Sequence, residues 1–541
     1  MLRTCQPPFQ GGPSPVPRGL WAGGAPETNG PFLEVNGPAA YIFAYLTMNK
    51  KLIINIIGLV IMIEAALMVL PLIVALIYGE DDWIWFLITG VPLAGLGFLC
   101  RKIKAQKKQL FSRDGYIVTG LAWVVMSLAG AVPFTISGEI PNYLDAVFET
   151  VSGFTTTGCT VLTDIEAMSR SMLFWRSLTH WIGGMGILVF MLAIVNASEG
   201  GSAMFIMKAE SPGPEVDKVV PKLRQSAMYL YYVYAALTII EVICLMAAGL
   251  PLYNSFIVAF GTMATGGFSY SSQSLAMLTF AQQNIVTVFM FLAGTNFALF
   301  ILVLTGKPLK ALKNEEFLNY FGIYVISCVL IAANVFTQGN FETLREAVHY
   351  TAFMVASVMT TTGFSVTDAN LFPLFSKTVI LIIMFIGASS GSTAGGLKVS
   401  RCVIMVKSVK RHLKMIMHPR SVESVRFSGK NVSKQTEHGI LFYICLFFLL
   451  FFGSLFIVSL DPAMEGDFLT AFSGVSTTIN NNGIAFGASS GSFSVFAWYS
   501  KVVFIIDMLV GRLEILPIVV LFMSVVSPVG TLGKKIKRKI A

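Results

Sequence analysis

The sequence predicts an all-α integral membrane protein: four parallel span–short helix–span repeats about one pseudo-fourfold axis, plus two extra N-terminal transmembrane helices. Three observations predict it. The chain is 55% hydrophobic and 12% charged, whereas soluble domains carry about 25% charged residues. Apolar segments of about twenty residues, long enough to cross a bilayer, recur along it, and the alternation of a membrane barrel is absent. A polar, glycine-terminated stretch returns about every hundred residues, a sign of internal repetition. The net charge of +9 is gathered in particular loops, which reads as the positive-inside bias of a membrane protein and not as a nucleic-acid surface.

Residues 1–47 stand outside the pattern. They are rich in Pro and Gly and lack the charged start and apolar core of a signal peptide. Met48-Asn49-Lys50-Lys51 reads as a start, so the leader is expected to be disordered or to precede the true initiation site. Residues 48–114 hold the two extra helices, 52–78 and 83–100. The acidic Glu80-Asp81-Asp82 between them is expected outside. The basic loop of Arg101, Lys102, Lys104, Lys107, Lys108 and Arg113 is expected in the cytoplasm.

Four repeats follow. Repeat 1, 115–225, has a span (116–136), a helix too short to cross (144–154), Thr155-Thr156-Thr157-Gly158, and a second span (172–195). Repeat 2, 226–316, has a span (228–248), a short helix from Asn254, Ala264-Thr265-Gly266-Gly267, and a span (286–304). Repeat 3, 317–436, has a span (317–336), a short helix (344–359), Thr360-Thr361-Thr362-Gly363, and a span from Thr378. Repeat 4, 437–541, has a span (440–460), a short helix from Phe468, Asn480-Asn481-Asn482-Gly483, a span (499–526) and a basic tail. Every repeat begins and ends on the basic side. All four therefore run parallel, unlike the opposed halves of inverted-repeat carriers, with both termini in the cytoplasm.

The recurring stretch is what an ion filter is built from. A dehydrated alkali cation must exchange its water shell for other oxygens, and backbone carbonyls from four converging loops supply them. Glycine allows the φ values that turn consecutive carbonyls toward one axis. Non-helical backbone is tolerated at this depth where it lines a wet cavity. Short helices aiming their C-terminal ends inward add negative potential. The axis is then one pseudo-fourfold pore, with Thr156, Thr157, Gly158, Thr265, Gly266, Gly267, Thr361, Thr362, Gly363, Asn481, Asn482 and Gly483 as candidate filter residues. Ordinary turn-forming loops are the alternative. Two identical tetrads, each with a serine (Ser152, Ser357) six residues before its glycine, argue against it. In the second loop, matching Phe268-Ser269 to Phe364-Ser365 selects Gly267 over Gly266. Asp164 and Asp368 either concentrate cations at the outer mouth or are solvated turn acids.

Two features mark control. In repeat 3 the second span is interrupted by Gly387-Ala388-Ser389-Ser390-Gly391-Ser392-Thr393-Ala394-Gly395-Gly396, before Leu397-Lys398. It fails the phosphate-loop pattern, because Leu397 precedes Lys398. It reads as a flap below the filter, against the alternative of close helix packing through small residues. Candidate gate residues are Gly387, Ser389, Ser390, Gly391, Ser392, Thr393, Gly395, Gly396, Lys398 and, in repeat 4, Arg512. An arginine within a span marks an ion path or a pairing, or else snorkels to the interface; Glu514 is a possible partner. Glu64, His180, Glu241 and Asp507 are the candidates for a coupled proton path, scattered over different spans. The seven cysteines form no metal or disulfide spacing, and no nucleophile–base pair suggests an enzyme.

Together these residues resemble the Trk/Ktr/HKT superfamily of potassium transporters, nearest its bacterial TrkH/TrkG branch. The resemblance rests on the two extra spans, Phe154-Thr155-Thr156-Thr157-Gly158, Trp181-Ile182-Gly183-Gly184-Met185-Gly186, Glu210-Ser211-Pro212-Gly213-Pro214, Gly267-Phe268-Ser269, the segment from Gly391 to Lys398, and Gly511-Arg512-Leu513-Glu514. One departure is Ile484-Ala485 after Gly483, where the family commonly has Pro-Gly. The resemblance implies K+ as the transported ion, taken up down its gradient across the cytoplasmic (inner) membrane through one pore per chain of a homodimer. It further implies gating by the flap and Arg512, and regulation by cytoplasmic RCK-type, TrkA-like subunits that bind NAD or ATP. No dinucleotide fingerprint occurs here, so no organic cofactor is expected on this chain. A proton- or sodium-coupled potassium symporter is the alternative.

Overall fold

Alternation of apolar runs with glycine and capping signals determines where helices begin and end. A computed structural model describes residues 49–103, 112–186, 223–419 and 423–526. The leader, most of the first basic loop, the end of the second span of repeat 1, Glu210 to Pro214 and the basic tail lie outside them.

The first span is two helices, α1 (Lys50–Leu67) and α2 (Val69–Tyr78), and α3 (Trp83–Lys102) returns beside them. Glu80 in the turn accepts from the backbone N–H groups of Arg170 (2.8 Å) and Ser171 (2.9 Å). The acidic turn thus caps the first-turn donors that a helix cannot satisfy itself, and ties the extra helices to repeat 1.

With the repeats divided as expected from the sequence, repeat 1 contains α4 (Ser112–Ile136), α5 (Tyr143–Phe154) and α6 (Arg170–Gly184). Repeat 2 contains α7 (Leu223–Ala247), α8 (Leu252–Met263), α9 (Phe280–Ala293) and α10 (Phe297–Leu304), with α11 (Pro308–Leu312) leading out. Repeat 3 contains α12 (Glu315–Thr337), α13 (Leu344–Met359), α14 (Leu374–Ile386) and α15 (Val399–Met417), then the hairpin β1 (Arg426–Phe427) and β2 (Lys430–Asn431), paired antiparallel. Repeat 4 contains α16 (Lys434–Val458), α17 (Phe468–Asn480), α18 (Trp498–Leu513) and α19 (Leu516–Val526). Among the described residues, Lys50–Tyr78, Trp83–Lys102, Arg113–Ile136, Ala227–Ala247, Glu315–Thr337 and Lys434–Val458 are long and apolar enough to cross a membrane. The short helices α5, α8, α13 and α17 are not, at 12 to 16 residues; an α-helix rises 1.5 Å per residue. Their later turns are buried throughout.

Two expected spans are interrupted. The one expected over 286–304 bends by 94° between α9 and α10. Gly294 lies against Tyr320 and Thr360, where a side chain would clash, and Asn296 starts a new helix by accepting from the Ala298 N–H at 2.9 Å. The one expected over 499–526 breaks at Glu514 and Ile515, both in the left-handed region (φ 58° and 65°). Pro517 sits in the first turn of the restarted helix, where its missing N–H costs nothing.

Candidate functional site

Each short helix ends in the same turn. The backbone N–H before the key glycine bonds a carbonyl five residues back: Thr157 to Ser152 (2.9 Å), Gly266 to Gly261 (2.8 Å), Thr362 to Ser357 (2.8 Å) and Asn482 to Thr477 (2.9 Å). One residue earlier, Thr156, Thr265, Thr361 and Asn481 all adopt left-handed backbone, with φ between 54° and 56°. That region is uncommon for residues with a Cβ, and it recurs at the same place in all four loops. The glycines follow at φ 84° for Gly158, 82° for Gly267, 88° for Gly363 and 84° for Gly483. The match selects Gly267 over Gly266. It also brings the asparagine loop into register with the threonine loops; asparagine tolerates this conformation better than most residues.

The four loops close on one another in a ring. A Cβ at Gly158 would collide with the Gly266 carbonyl oxygen, one at Gly267 with that of Thr362, and one at Gly363 with that of Asn482. A Cβ at Gly483 would lie 2.6 Å from the Thr157 carbonyl oxygen. Each loop therefore abuts the next in chain order, and the fourth returns to the first. All twelve candidate filter residues belong to this ring.

Side chains differ where backbone does not. Thr155 and Thr157 pair their hydroxyls (2.8 Å), as do Thr360 and Thr362 (2.7 Å). In the fourth loop Asn481 Nδ2 donates to Thr157 Oγ1 (2.8 Å) and to the Met508 carbonyl (2.9 Å), while Asn482 Nδ2 donates to the Val358 carbonyl (2.6 Å). The asparagines thus brace their two ring neighbours. Behind the ring the sequence reading missed a buried ion pair, Arg176 Nε to Glu149 Oε1 at 2.6 Å. The available signal was one charge near the middle of each helix, Glu149 in α5 and Arg176 in α6.

The interrupted segment leaves α14 at Gly387 and comes back to its own start: the Val399 N–H bonds the Ala388 carbonyl (3.0 Å). Gly387, Gly391, Gly396 and Lys398 have positive φ. Between them the chain packs against the ends of three short helices. Thr393 Oγ1 donates to the Met263 carbonyl (3.1 Å), the Gly395 N–H donates to Thr361 Oγ1 (2.7 Å), and Gly395 lies so near the Asn480 carbonyl that a Cβ would clash. The bend in repeat 2 holds its flank, through Ser389 N–H to the Gly294 carbonyl and Phe297 N–H to the Gly391 carbonyl, both 3.1 Å. Ser390 N–H donates to Glu316 (2.7 Å), Ser392 Oγ to the Ser389 carbonyl (2.6 Å), and Lys398 Nζ to the Ala394 carbonyl.

Arg512 reaches this segment. It donates to the carbonyls of Thr393 (2.5 Å), Gly183 and Gly184 (both 2.6 Å). Glu514, the possible partner, is instead turned by the break after α18 to pair with Arg401 on α15. Two residues apart on a helix do not face each other. The candidates for a proton path stay apart, on α1, α6, α7 and α18. His180 Nδ1 donates to the Gly153 carbonyl (2.7 Å), and Asp507 accepts from Ser454 (2.7 Å). Glu64 and Glu241 are buried, and no hydrogen bond or ion pair joins any two of the four. Asp164 is exposed, and Asp368 caps a short 3-10 turn through the Asn370 N–H (2.8 Å).

Apolar helices of bilayer length, with polar backbone gathered in a ring among them, define a multi-pass membrane protein. Comparison with known proteins makes the class specific. The TrkH family of cation transport proteins matches residues 84–323 and 316–531, and the chain belongs to that family. It is 31% identical to the Trk system potassium uptake protein TrkG of Escherichia coli (strain K12), covering 88% of this chain and 98% of that one. It is 32% identical to TrkH of Salmonella typhimurium over 88% and 99%. The crystal structure of the potassium transporter TrkH from Vibrio parahaemolyticus superposes with a TM-score of 0.79 at 30% identity, over 88% and 98% of the two chains.

Proposed function

We propose that this chain is a channel-like potassium uptake protein of the cytoplasmic membrane, built as four parallel span–short helix–span repeats around one pseudo-fourfold pore. The observation that carries the reading is the closed ring of four loops with one shared backbone conformation. Thr156 to Gly158, Thr265 to Gly267, Thr361 to Gly363 and Asn481 to Gly483 form the filter, whose carbonyls replace the water of a dehydrated K+ ion. The ring contains no ionised side chain among these residues, so the ion meets dipoles and not a counter-charge that would hold it. Four helix C-termini at the ring add negative potential.

The segment from Gly387 to Lys398, with Arg512, acts as the gate: it crosses the ends of three short helices, and a guanidinium under a cation filter also repels the permeant ion. The relatives' names support potassium as the ion. The chain works as a homodimer with cytoplasmic RCK-type, TrkA-like nucleotide-binding subunits, for which the exposed Lys410 and Lys414 of α15 and the basic tail are the docking surface; the "Trk system" in those names supports a further component in general. The test is flux into proteoliposomes with K+, Rb+, Na+ and Li+ in turn. K+ and Rb+ uptake without a second ion gradient is expected. Strict dependence on protons or Na+ would replace the pore by a coupled symporter.

A further inference from the structure

Joints between neighbouring loops hold the outer ends of the ring together beyond the filter glycines, and they differ in chemistry. Between loops 2 and 3, the Leu275 N–H bonds the Ser365 carbonyl (3.0 Å) and the Ser365 N–H bonds Ser274 Oγ (3.1 Å). Between loops 3 and 4, Asn370 and the Gly487 backbone bond reciprocally (2.8 and 3.3 Å). Between loops 4 and 1, the Phe493 N–H bonds the Thr160 carbonyl (2.8 Å). These three are neutral.

Loops 1 and 2 are joined twice, at the surface by Glu166 to Ser271 and Ser272 and, nearer the ring, by a joint that is charged and buried. Glu149 on α5 accepts from Thr160 Oγ1 (2.9 and 3.1 Å) and from the Val161 N–H (3.0 Å), which are two and three residues beyond Gly158. Arg176 on α6 donates Nε–H to Glu149 and Nη1–H to the Ser269 carbonyl (3.1 Å), two residues beyond Gly267. Its guanidinium lies over the Phe268 ring at 3.4 Å, and the His180 ring packs against Phe268 at 4.0 Å. The side chains of Arg176 and Glu149 are 2% and 0% exposed. A buried ion pair contributes little net stability over an apolar pair of the same volume. What it does impose is geometry, since a planar guanidinium fixes two acceptors at once.

We infer that the Arg176–Glu149 pair is a specificity-determining strut: it sets the spacing of loops 1 and 2, and so how well the ring discriminates K+ from Na+. Neither residue touches the ion; both are positioning residues acting through Thr160, Val161 and Ser269. The inference rests on the pore reading above. Filter oxygens must be held to within about 0.5 Å to act as a site, and this joint bears on half of the ring.

The test measures the K+/Na+ permeability ratio of purified full-length protein in proteoliposomes, with thermal melting alongside. Arg176→Lys, which keeps the charge but loses the planar fork, is expected to lower the ratio about threefold, and Glu149→Gln by at least as much. Thr160→Val leaves the ion pair intact and removes the hydroxyl half of its link to loop 1, the Val161 N–H bond remaining; its ratio is expected to fall in the same direction, by less. A folded Thr160→Val protein and a folded Arg176→Lys protein that both keep the wild-type ratio overturn the strut; should Arg176→Lys fail to fold, a folded Glu149→Gln protein that keeps the wild-type ratio overturns it instead. A wild type that conducts no K+ overturns the pore reading itself, and the strut with it.

Discussion

Arg512 donates a 2.5 Å hydrogen bond to the carbonyl of Thr393, joining the fourth repeat to the middle of the interrupted segment in the third. The same guanidinium holds Gly183 and Gly184 of the first repeat, at 2.6 Å each. One side chain therefore clamps three repeats, and hydrogen bonds to a charged donor are about twice as strong as neutral ones.

Removing that clamp should free the segment. Arg512→Ala is expected to raise basal K+ flux about tenfold, equivalent to about 1.4 kcal/mol in the open–closed balance, and deletion of residues 389–394 should raise it as well. Flux measured in proteoliposomes checks this, and unchanged flux in both variants would remove the gate assignment.

Gly363 has φ +88°, and a Cβ there would collide with the Asn482 carbonyl. Gly363→Ser should therefore displace the third and fourth loops together. The expected outcome is a K+/Na+ ratio reduced about tenfold or more, because misplaced oxygens no longer fit the larger ion better. A variant that folds with unaltered selectivity would mean that the ring is not the filter.

Asn482 Nδ2 donates to the Val358 carbonyl at 2.6 Å. Asn482→Asp replaces that donor with a group that can only accept, facing another acceptor inside the protein. A loss of about 2 kcal/mol is expected, visible as a lower melting temperature in detergent, whereas Asn482→Gln should lose less. Equal melting of the Asn482→Asp variant and the wild type would contradict the brace.

The segments that follow the first two ring loops carry a pH signature. Glu166 accepts from Ser272 Oγ (2.5 Å), Ser271 Oγ (2.7 Å) and the Ser272 N–H (3.0 Å). These bonds, Ser272's hydroxyl foremost, hold its carboxyl down at about 2, below the ordinary value of about 4.3. A lowered folded-state pKa stabilises the fold above the unfolded value, and that contribution is lost as pH falls from about 4.3 toward 2. Melting temperature should fall more steeply over this window in wild type than in Glu166→Gln. Parallel curves would sink the assignment.

Much of this molecule was legible in its sequence because the bilayer permits few solutions. Helix α13 occupies 344–359 as expected, and α5 begins one residue before the expected 144, since Thr343 and Asn142 accept from the first-turn N–H groups and the backbone turns left-handed at Thr156 and Thr361. What was less legible lay where two elements meet. The break at Glu514 was signalled by Pro517 alone. The bend at Gly294 was signalled by one glycine and one asparagine within an apolar run. Glu149 and Arg176 stand 27 residues apart, and nothing in either helix names the other as its partner.

By itself the sequence determined the apolar helices, their punctuation and the fourfold recurrence of the glycine loops, because burial in lipid and backbone satisfaction act on each segment locally. Only the tertiary structure showed that Asn481, already aligned with Thr156, Thr265 and Thr361, shares their left-handed backbone. Only it turned Glu514 from Arg512 to Arg401 and seated Arg512 on the Thr393 carbonyl. Those outcomes depend on which carbonyls and charges converge from distant parts of the chain, and a buried donor takes whichever acceptor the packing brings within reach.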